Sequence, residues 1–288
     1  MTLLVTGASG HLGRLVVEAL LERGTPAADV LATARTRESV SDLAARGVEV
    51  RRADYDDPAS LDGAFAGVDR LLLVSGSEVG RRTTQHANVI EAAKRAGVGF
   101  VAYTSITRAD TSDLVLAEEH RATEELLAAS GLPHALLRNS WYLENYTGQL
   151  PVFLEHGVVL GAAGAGRVSA ATRADYAEAA AVVLAGEGHD GAVYELGGDT
   201  AFTMAELAST VGRVARREVA YADLSVADYT AALVGAGLPE GYAAVLADGD
   251  RGLAEGQLFT DSGDLSRLIG RPTTTLEDAL RAALVPTA

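Results

Sequence analysis

Three glycines, Gly7, Gly10 and Gly13, stand between a short apolar run, Leu3-Leu4-Val5, and a helix-like run over 14–23. Strand, glycine turn and helix, in that order, make the first half of a nucleotide-binding βαβ unit. The spacing is GxxGxxG, a looser relative of GxGxxG. Gly7 supplies the backbone freedom for a tight strand-to-helix turn, and Gly10 has no Cβ to hold a diphosphate away. Gly13 lets the helix lie close to the sheet. Free amides at the helix start, at the positive end of its dipole, suit a pyrophosphate. A glycine triplet alone marks an ordinary turn; this placement makes it a nucleotide site.

The rest of the first half continues the pattern. Apolar runs at 30–34, 48–51, 68–74, 100–104 and 134–138 alternate with helical segments, among them 83–96, which stops at Gly97, and 118–129. Such alternation predicts an α/β fold, a Rossmann-type doubly wound parallel sheet with helices on both faces. After Asn139 the rhythm breaks. Residues 141–146 are aromatic-rich, 157–166 is a glycine and alanine stretch, and 173–185 reads as a helix capped by Thr172 or Asp175. Thr203–Glu206 and Thr274–Glu277 both have capping-box form. The expected division is a cofactor-binding domain over 1–139. Residues 140–288 are expected to add further sheet strands and a small C-terminal helical lobe covering the substrate.

Composition narrows the partners. A net charge of −15 repels nucleic acid and anionic membrane surfaces but leaves a neutral organic substrate open. No cysteine is present, so thiolate chemistry, disulfides and cysteine metal sites are excluded. Residues 1–20 show no basic start before an apolar core, and no apolar run approaches the roughly 20 residues of a membrane span. The expectation is a soluble cytoplasmic protein.

Cofactor choice is written at the end of the second strand. An acid there favours the ribose 2′-hydroxyl of NAD, and an arginine favours the 2′-phosphate of NADP. Here 30–34 runs into Arg35, with Arg37 beyond and no carboxylate before Glu38, so NADPH is the expected cofactor. Asp54 is placed either to accept from an adenine amino group or to pair with a neighbouring amide. Ser75-Gly76-Ser77 ends the fourth strand and passes near the ribose and diphosphate.

The catalytic set is defined by what is missing. Lys94 is the single lysine and Ile90 stands four residues before it, so no Tyr-x-x-x-Lys pair and no P-loop exists. The six histidines lack HxxxH or HExxH spacing, which argues against a zinc site. No catalytic side chain is therefore assigned, and no metal. A substrate that accepts hydride readily and takes its proton from water needs no relay. Quinones fit, as do cationic triarylmethane dyes; simple ketones do not. Trp141, Tyr142 and Tyr146, with Phe153 beyond and Asn139 and Asn145 among them, suit a planar ring, and equally suit packing between lobes.

With these residues set out, the chain resembles the bacterial NADPH-dependent quinone oxidoreductases of the NmrA-like, atypical short-chain dehydrogenase/reductase group. The likeness is carried by 6–13, Arg35, Ala53-Asp54-Tyr55, 71–80 (LLLVSGSEVG), Gln85-His86, Tyr103-Thr104-Ser105, 109–112, 137–146 (LRNSWYLENY), 172–176 (TRADY) and 270–275 (GRPTTT). Triphenylmethane dye reductases are close relatives in the same group. The resemblance implies NADPH in the cleft and quinone reduction. It implies cofactor contacts at Gly7, Ala8, Ser9, Gly10, His11, Leu12, Arg35, Ser75, Gly76, Ser77, Asn139, Ser140, Trp141 and Tyr142, and at Thr172, Arg173 and Tyr176 within 170–176. Tyr142, Asn145 and Tyr146 are the candidate substrate contacts. His11 replaces a usual glutamine, Gly76 a common serine, and Ser140 a usual glycine, where it is expected to narrow the nicotinamide pocket. Dye reduction and non-catalytic redox sensing are the alternative readings.

Overall fold

The structure is a computed structural model that describes residues 1–285. Its strands are β1 (Leu3–Val5), β2 (Val30–Ala34), β3 (Glu49–Arg52), β4 (Arg70–Leu73), β5 (Phe100–Ile106), β6 (His134–Asn139), β7 (Val158–Gly161), β8 (Val193–Leu196) and β9 (Ala220–Asp223). The helices of the first half are α1 (His11–Glu22), α2 (Ser41–Ala45), α3 (Pro58–Phe65), α4 (Arg82–Ala96) and α5 (Val115–Ser130). Those that follow are α6 (Glu144–Thr147), α7 (Leu150–His156), α8 (Arg173–Ala185), α9 (Met204–Ala215), α10 (Val226–Gly235), α11 (Glu240–Ala254), α12 (Asp264–Ile269) and α13 (Leu276–Leu284).

Seven strands pair in the order β3-β2-β1-β4-β5-β6-β8, every pair parallel. Every residue of β1, β2 and β5 is buried, because helices cover both faces of a parallel sheet. The side-chain alternation sorts them. Leu3, Val5, Ala32, Leu72 and Ala102 face α1 and α8, packing on Val16, Val17, Leu20, Ala180 and Leu184. Leu4, Leu31, Leu71, Leu73 and Val101 face α3, α4 and α5, packing on Phe65, Val89, Ile90 and Leu127. Strand order reverses between β1 and β4, which opens a crevice at the carboxyl ends of the strands.

The second half adds its strands in two places. Among the described residues β8 joins the main sheet beside β6, while β7 and β9 pair in parallel with each other as a separate two-stranded sheet. Two further elements from beyond Asn139, α8 and α12, pack back onto the sheet's layers. Of the remaining helices, α6, α7, α9, α11 and α13 contribute to a second core around Leu143, Phe153, Phe202, Leu207, Leu253 and Leu280, while α10 packs on α11 through Tyr229 and Ala247. Thr172, not Asp175, caps α8, and α9 carries the full Thr203/Glu206 capping box. The last helix starts one residue later than the sequence suggests, at Thr275 with Asp278. Thr274 is unavailable as a cap because its amide and hydroxyl both donate to Asp175, at 3.0 and 3.3 Å. Among the described residues no helix is long and apolar enough to cross a membrane.

Candidate active site

Helix α1 begins at His11, three residues before the sequence suggests, because Gly10 takes an extended N-cap conformation. No side chain caps this end and no acid lies in its first turn, so the leading amides stay free for an anion. Gly7 holds φ +61°, which L side chains rarely adopt. A Cβ at Gly13 would lie 2.5 Å from the Gly7 carbonyl oxygen. That contact is the close helix approach foreseen from the spacing. Thr6 pins the turn to the sheet: its hydroxyl donates to Leu72 O and accepts from Val74 N, both at 3.0 Å. The Tyr55 hydroxyl lies 2.5 Å from the same Thr6 oxygen and 2.8 Å from Val74 O.

The loop 75–77 is fixed from α4. His86 Nε2 accepts from the Gly76 amide at 2.9 Å, so its Nδ1 carries the proton toward Thr123 Oγ1 at 2.9 Å. Burial, then the Arg82 charge, pushes His86 down to about 3, keeping the ring neutral in that acceptor role. Arg82 donates to the Gly76 carbonyl at 2.8 Å and pairs with Glu119 at 3.0 Å. Both polar groups of Gly76 are therefore held by helix side chains.

From this turn a cavity of about 1190 Å³ runs past the end of β6 to α10 and α11. That exceeds the roughly 300–1,000 Å³ of an ordinary small-ligand pocket. Gly7, Ser9, Gly10, His11, Leu12, Arg35, Ser75, Gly76 and Ser77 line one end; Asn139, Ser140, Trp141, Tyr142, Asn145, Tyr146 and Arg173 line the middle. Ala8, Thr172 and Tyr176 do not reach it. Ala8 is buried in the core, and Thr172 caps α8. Tyr176 stands behind Tyr142, ring centroids 5.5 Å apart, with its hydroxyl on Trp141 O at 3.3 Å. Arg37 lies away from the cavity in a separate surface depression. Asp54 lines the cavity while accepting from the Asp56 amide at 3.1 Å, so the neighbouring-amide pairing is formed.

Asn139 ends β6 with its Oδ1 buried and, among the described residues, without a hydrogen-bond partner. Its neighbour Ser140 does not narrow the pocket with its hydroxyl, which donates instead to Leu258 O at 2.8 Å. The Arg173 guanidinium sits 4.6 Å over the Tyr142 ring, donates to Asn145 Oδ1 at 3.2 Å, and takes the Glu144 carboxylate on its backbone amide at 2.8 Å. Burial pushes the Tyr142 phenol up, opposed by the adjacent Asn139 side chain. The far chamber was not found from sequence: Val158 and Leu160 of β7, Tyr229 and Leu233 of α10, and Leu246 and Asp250 of α11. The wall facing α5 adds Ser105, Leu116 and His120, whose Nδ1 lies 2.7 Å from the Tyr103 hydroxyl.

A dinucleotide fits these donors. Uncapped amides and a side-chain-free Gly10 suit the diphosphate, an exposed arginine suits a 2′-phosphate, and the unpartnered Asn139 acceptor suits a carboxamide. Among the described residues no group of three or more His, Asp or Glu is placed to hold a metal ion.

Residues 7–187 match the NAD(P)H-binding family. The chain is 53% identical to quinone oxidoreductase 2 of Escherichia coli over 276 residues, 96% of each chain. It is also similar to the crystal structure of an Escherichia coli NADPH-dependent quinone oxidoreductase complexed with NADPH. That match has a TM-score of 0.95 at 52% identity over 97% of this chain and 98% of that one. Citrobacter sp. triphenylmethane reductase complexed with NADP(H) gives a TM-score of 0.94 at 38% identity, covering 98% of this chain and 100% of that one.

Proposed function

The chain belongs to the NAD(P)H-binding family, and on that premise we propose that it is an NADPH-dependent quinone oxidoreductase passing hydride directly to its acceptor. One observation supports this most. A single cavity joins a dinucleotide-type glycine turn to an aromatic and apolar chamber large enough for a second, planar molecule.

NADPH, when bound, supplies the hydride. The amides of His11 and Leu12 hold its diphosphate at the start of α1, where the absent side chain of Gly10 leaves room for it, with Gly7, Ser9 and the 75–77 loop completing the cradle. Arg35 takes the 2′-phosphate as a charge-assisted donor. Asn139, Ser140, Trp141 and Tyr142 bound the nicotinamide end, with Ala8, Thr172 and Tyr176 acting behind the wall. Arg173 fixes the Tyr142 ring from above. Tyr142, Asn145 and Tyr146 position the quinone ring and exclude water from it. In this division residues 1–139 supply the cofactor-binding part and 140–288 the substrate-covering part, with α8 and β8 returning to the sheet. A cytoplasmic setting and a small neutral acceptor suit the net charge of −15.

The direct test follows NADPH absorbance with and without 1,4-benzoquinone. Rapid quinone-dependent oxidation is expected, and deuterium at the transferring position of NADPH should slow single-turnover reduction. A protein that binds NADPH tightly yet reduces neither a benzoquinone nor a cationic triarylmethane dye overturns the reading in favour of a sensor.

A further inference from the structure

The far chamber holds one carboxyl for which the reaction so far has no use. Asp250, near the end of α11, lines the chamber with Tyr146, Tyr229, Leu233 and Leu246. Its Oδ2 accepts from the Ala162 amide at 2.7 Å, and among the described residues no hydrogen bond reaches Oδ1. Two glycines make this placement possible. A Cβ at Gly161 would lie 2.7 Å from Asp250 Oδ2, and one at Gly249 would lie 3.3 Å from the Trp141 ring. The Gly249-Asp250 step therefore packs directly against the residue that bounds the nicotinamide end.

The surroundings favour the neutral acid. Desolvation, then the charge of Asp223, pushes Asp250 up to about 6, against the opposing Ala162 bond. Tyr146 of α6, Tyr221 and Asp223 of β9 and Tyr229 of α10 face it, and among the described residues no cation pairs with it. Arg251, next in sequence, is turned to Asp113, Asp248 and Glu255. Asp223 differs in kind, since its Oδ1 receives the Gly164 amide at 2.9 Å and the Tyr221 hydroxyl at 2.8 Å. Two neighbouring carboxyls thus have unlike environments, the arrangement that separates an acid from a fixed charge.

We infer that Asp250 is the proton donor that neutralises the reduced quinone, acting through Oδ1. The inference rests on the quinone reading of this cavity. A para-quinone carries carbonyl oxygens at opposite ends of its ring. A ring held at Trp141 and Tyr142 turns one of them toward α11. Gain of hydride, two electrons and one proton, leaves a hydroquinone monoanion. The Asp250 O–H bond then breaks, its proton forms the second phenol O–H, and the carboxylate regains a proton from water as the neutral hydroquinone leaves. No further oxidant or reductant enters.

Two measurements test this. In protein labelled with carbon-13 at aspartate carboxyls, without cofactor or quinone, one resonance should titrate near pH 6 and be absent from Asp250→Asn. Asp223→Asn should move that titration down. If every aspartate titrates below about pH 5, the inference fails. In steady-state reduction of 1,4-benzoquinone at saturating NADPH, wild-type kcat should fall along a one-proton alkaline limb. Asp250→Asn should lose the limb and roughly 100-fold in kcat, with KM little changed, and Asp223→Asn should shift the limb to lower pH. If Asp250→Asn keeps the wild-type rate and profile, the inference is overturned while quinone reduction stands. A wild type inert toward quinones overturns the underlying reading instead.

Discussion

Arg35 allows binding and stability to be tested separately. Its side chain is 74% exposed, and its one ion pair among the described residues is with Glu78 across the groove, at 3.6 Å. An exposed pair of that kind contributes about 0–1 kcal/mol, so Arg35→Ala should unfold at the wild-type temperature. A charge-assisted bond to a 2′-phosphate contributes about 1.5–3 kcal/mol, which is roughly ten- to 150-fold in Kd. Neither nearby arginine replaces it: Arg37 lies off the cavity, and Arg52 is turned to Asp57 at 3.0 Å. Titration calorimetry of NADPH and NADH against wild type, Arg35→Ala and Arg35→Asp is the assay. NADPH affinity should fall by that factor in the alanine variant while NADH affinity holds, and the aspartate variant should prefer NADH through the 2′-hydroxyl. Glu78→Gln removes a carboxylate that competes for the guanidinium, so NADPH should bind a few-fold tighter at low salt. Equal losses for both cofactors in Arg35→Ala would refute the assignment, because only one of them carries the phosphate.

The two glycines of the turn should separate in the same way. Gly10→Val should abolish tight NADPH binding while the fold survives in thermal melts, because Gly10 is exposed and already extended. Gly13→Ala should also cost about 2–3 kcal/mol of stability by overpacking, since its Cβ meets backbone at 2.5 Å; an unchanged melt would contradict that packing. Asp250→Asn should change the pH dependence of urea unfolding. The folded pKa of Asp250, about 6, is raised, so the stability its neutral form contributes is present below about pH 4 and lost as pH rises through 6. The variant should therefore gain on wild type by up to about 3 kcal/mol between pH 4 and 7, and parallel curves would count against a buried acid. Arg138→Met should cost about 3–5 kcal/mol in the same assay, because it strands Glu124 and Glu195, which Arg138 meets at 2.7 and 3.0 Å.

The cofactor end of the cavity was legible because its determinants are local. Doubly covered strands write themselves as apolar runs, and Gly97 does end α4 with φ +73°. The turn is set by backbone angles and close approaches, both encoded by glycine within one stretch of chain. What local pattern did not give was side-chain direction at irregular positions. Ser140, next to the end of β6, turned its hydroxyl to Leu258 rather than toward the pocket. Tyr176 came to rest behind Tyr142, off the cavity wall. The hold on Gly76 by His86 and Arg82 was also missed, because helix side chains that hydrogen-bond to a loop backbone, one accepting and one donating, have no spacing signature.

The chamber was illegible for a stronger reason. Its walls converge from β7, α10 and α11, and each of their residues reads by itself as ordinary core. Tyr229 and Leu246 are apolar positions of amphipathic helices until the parallel pairing of β7 with β9 brings those helices over the aromatic rim. Asp250 is an unremarkable surface acid in sequence until Gly161 and Gly249 let it approach the chamber. The two ends are thus specified by different means, backbone geometry at one and convergent side chains at the other. The far walls can change without disturbing the turn, so one dinucleotide cradle can serve quinones in one protein and triphenylmethane dyes in another.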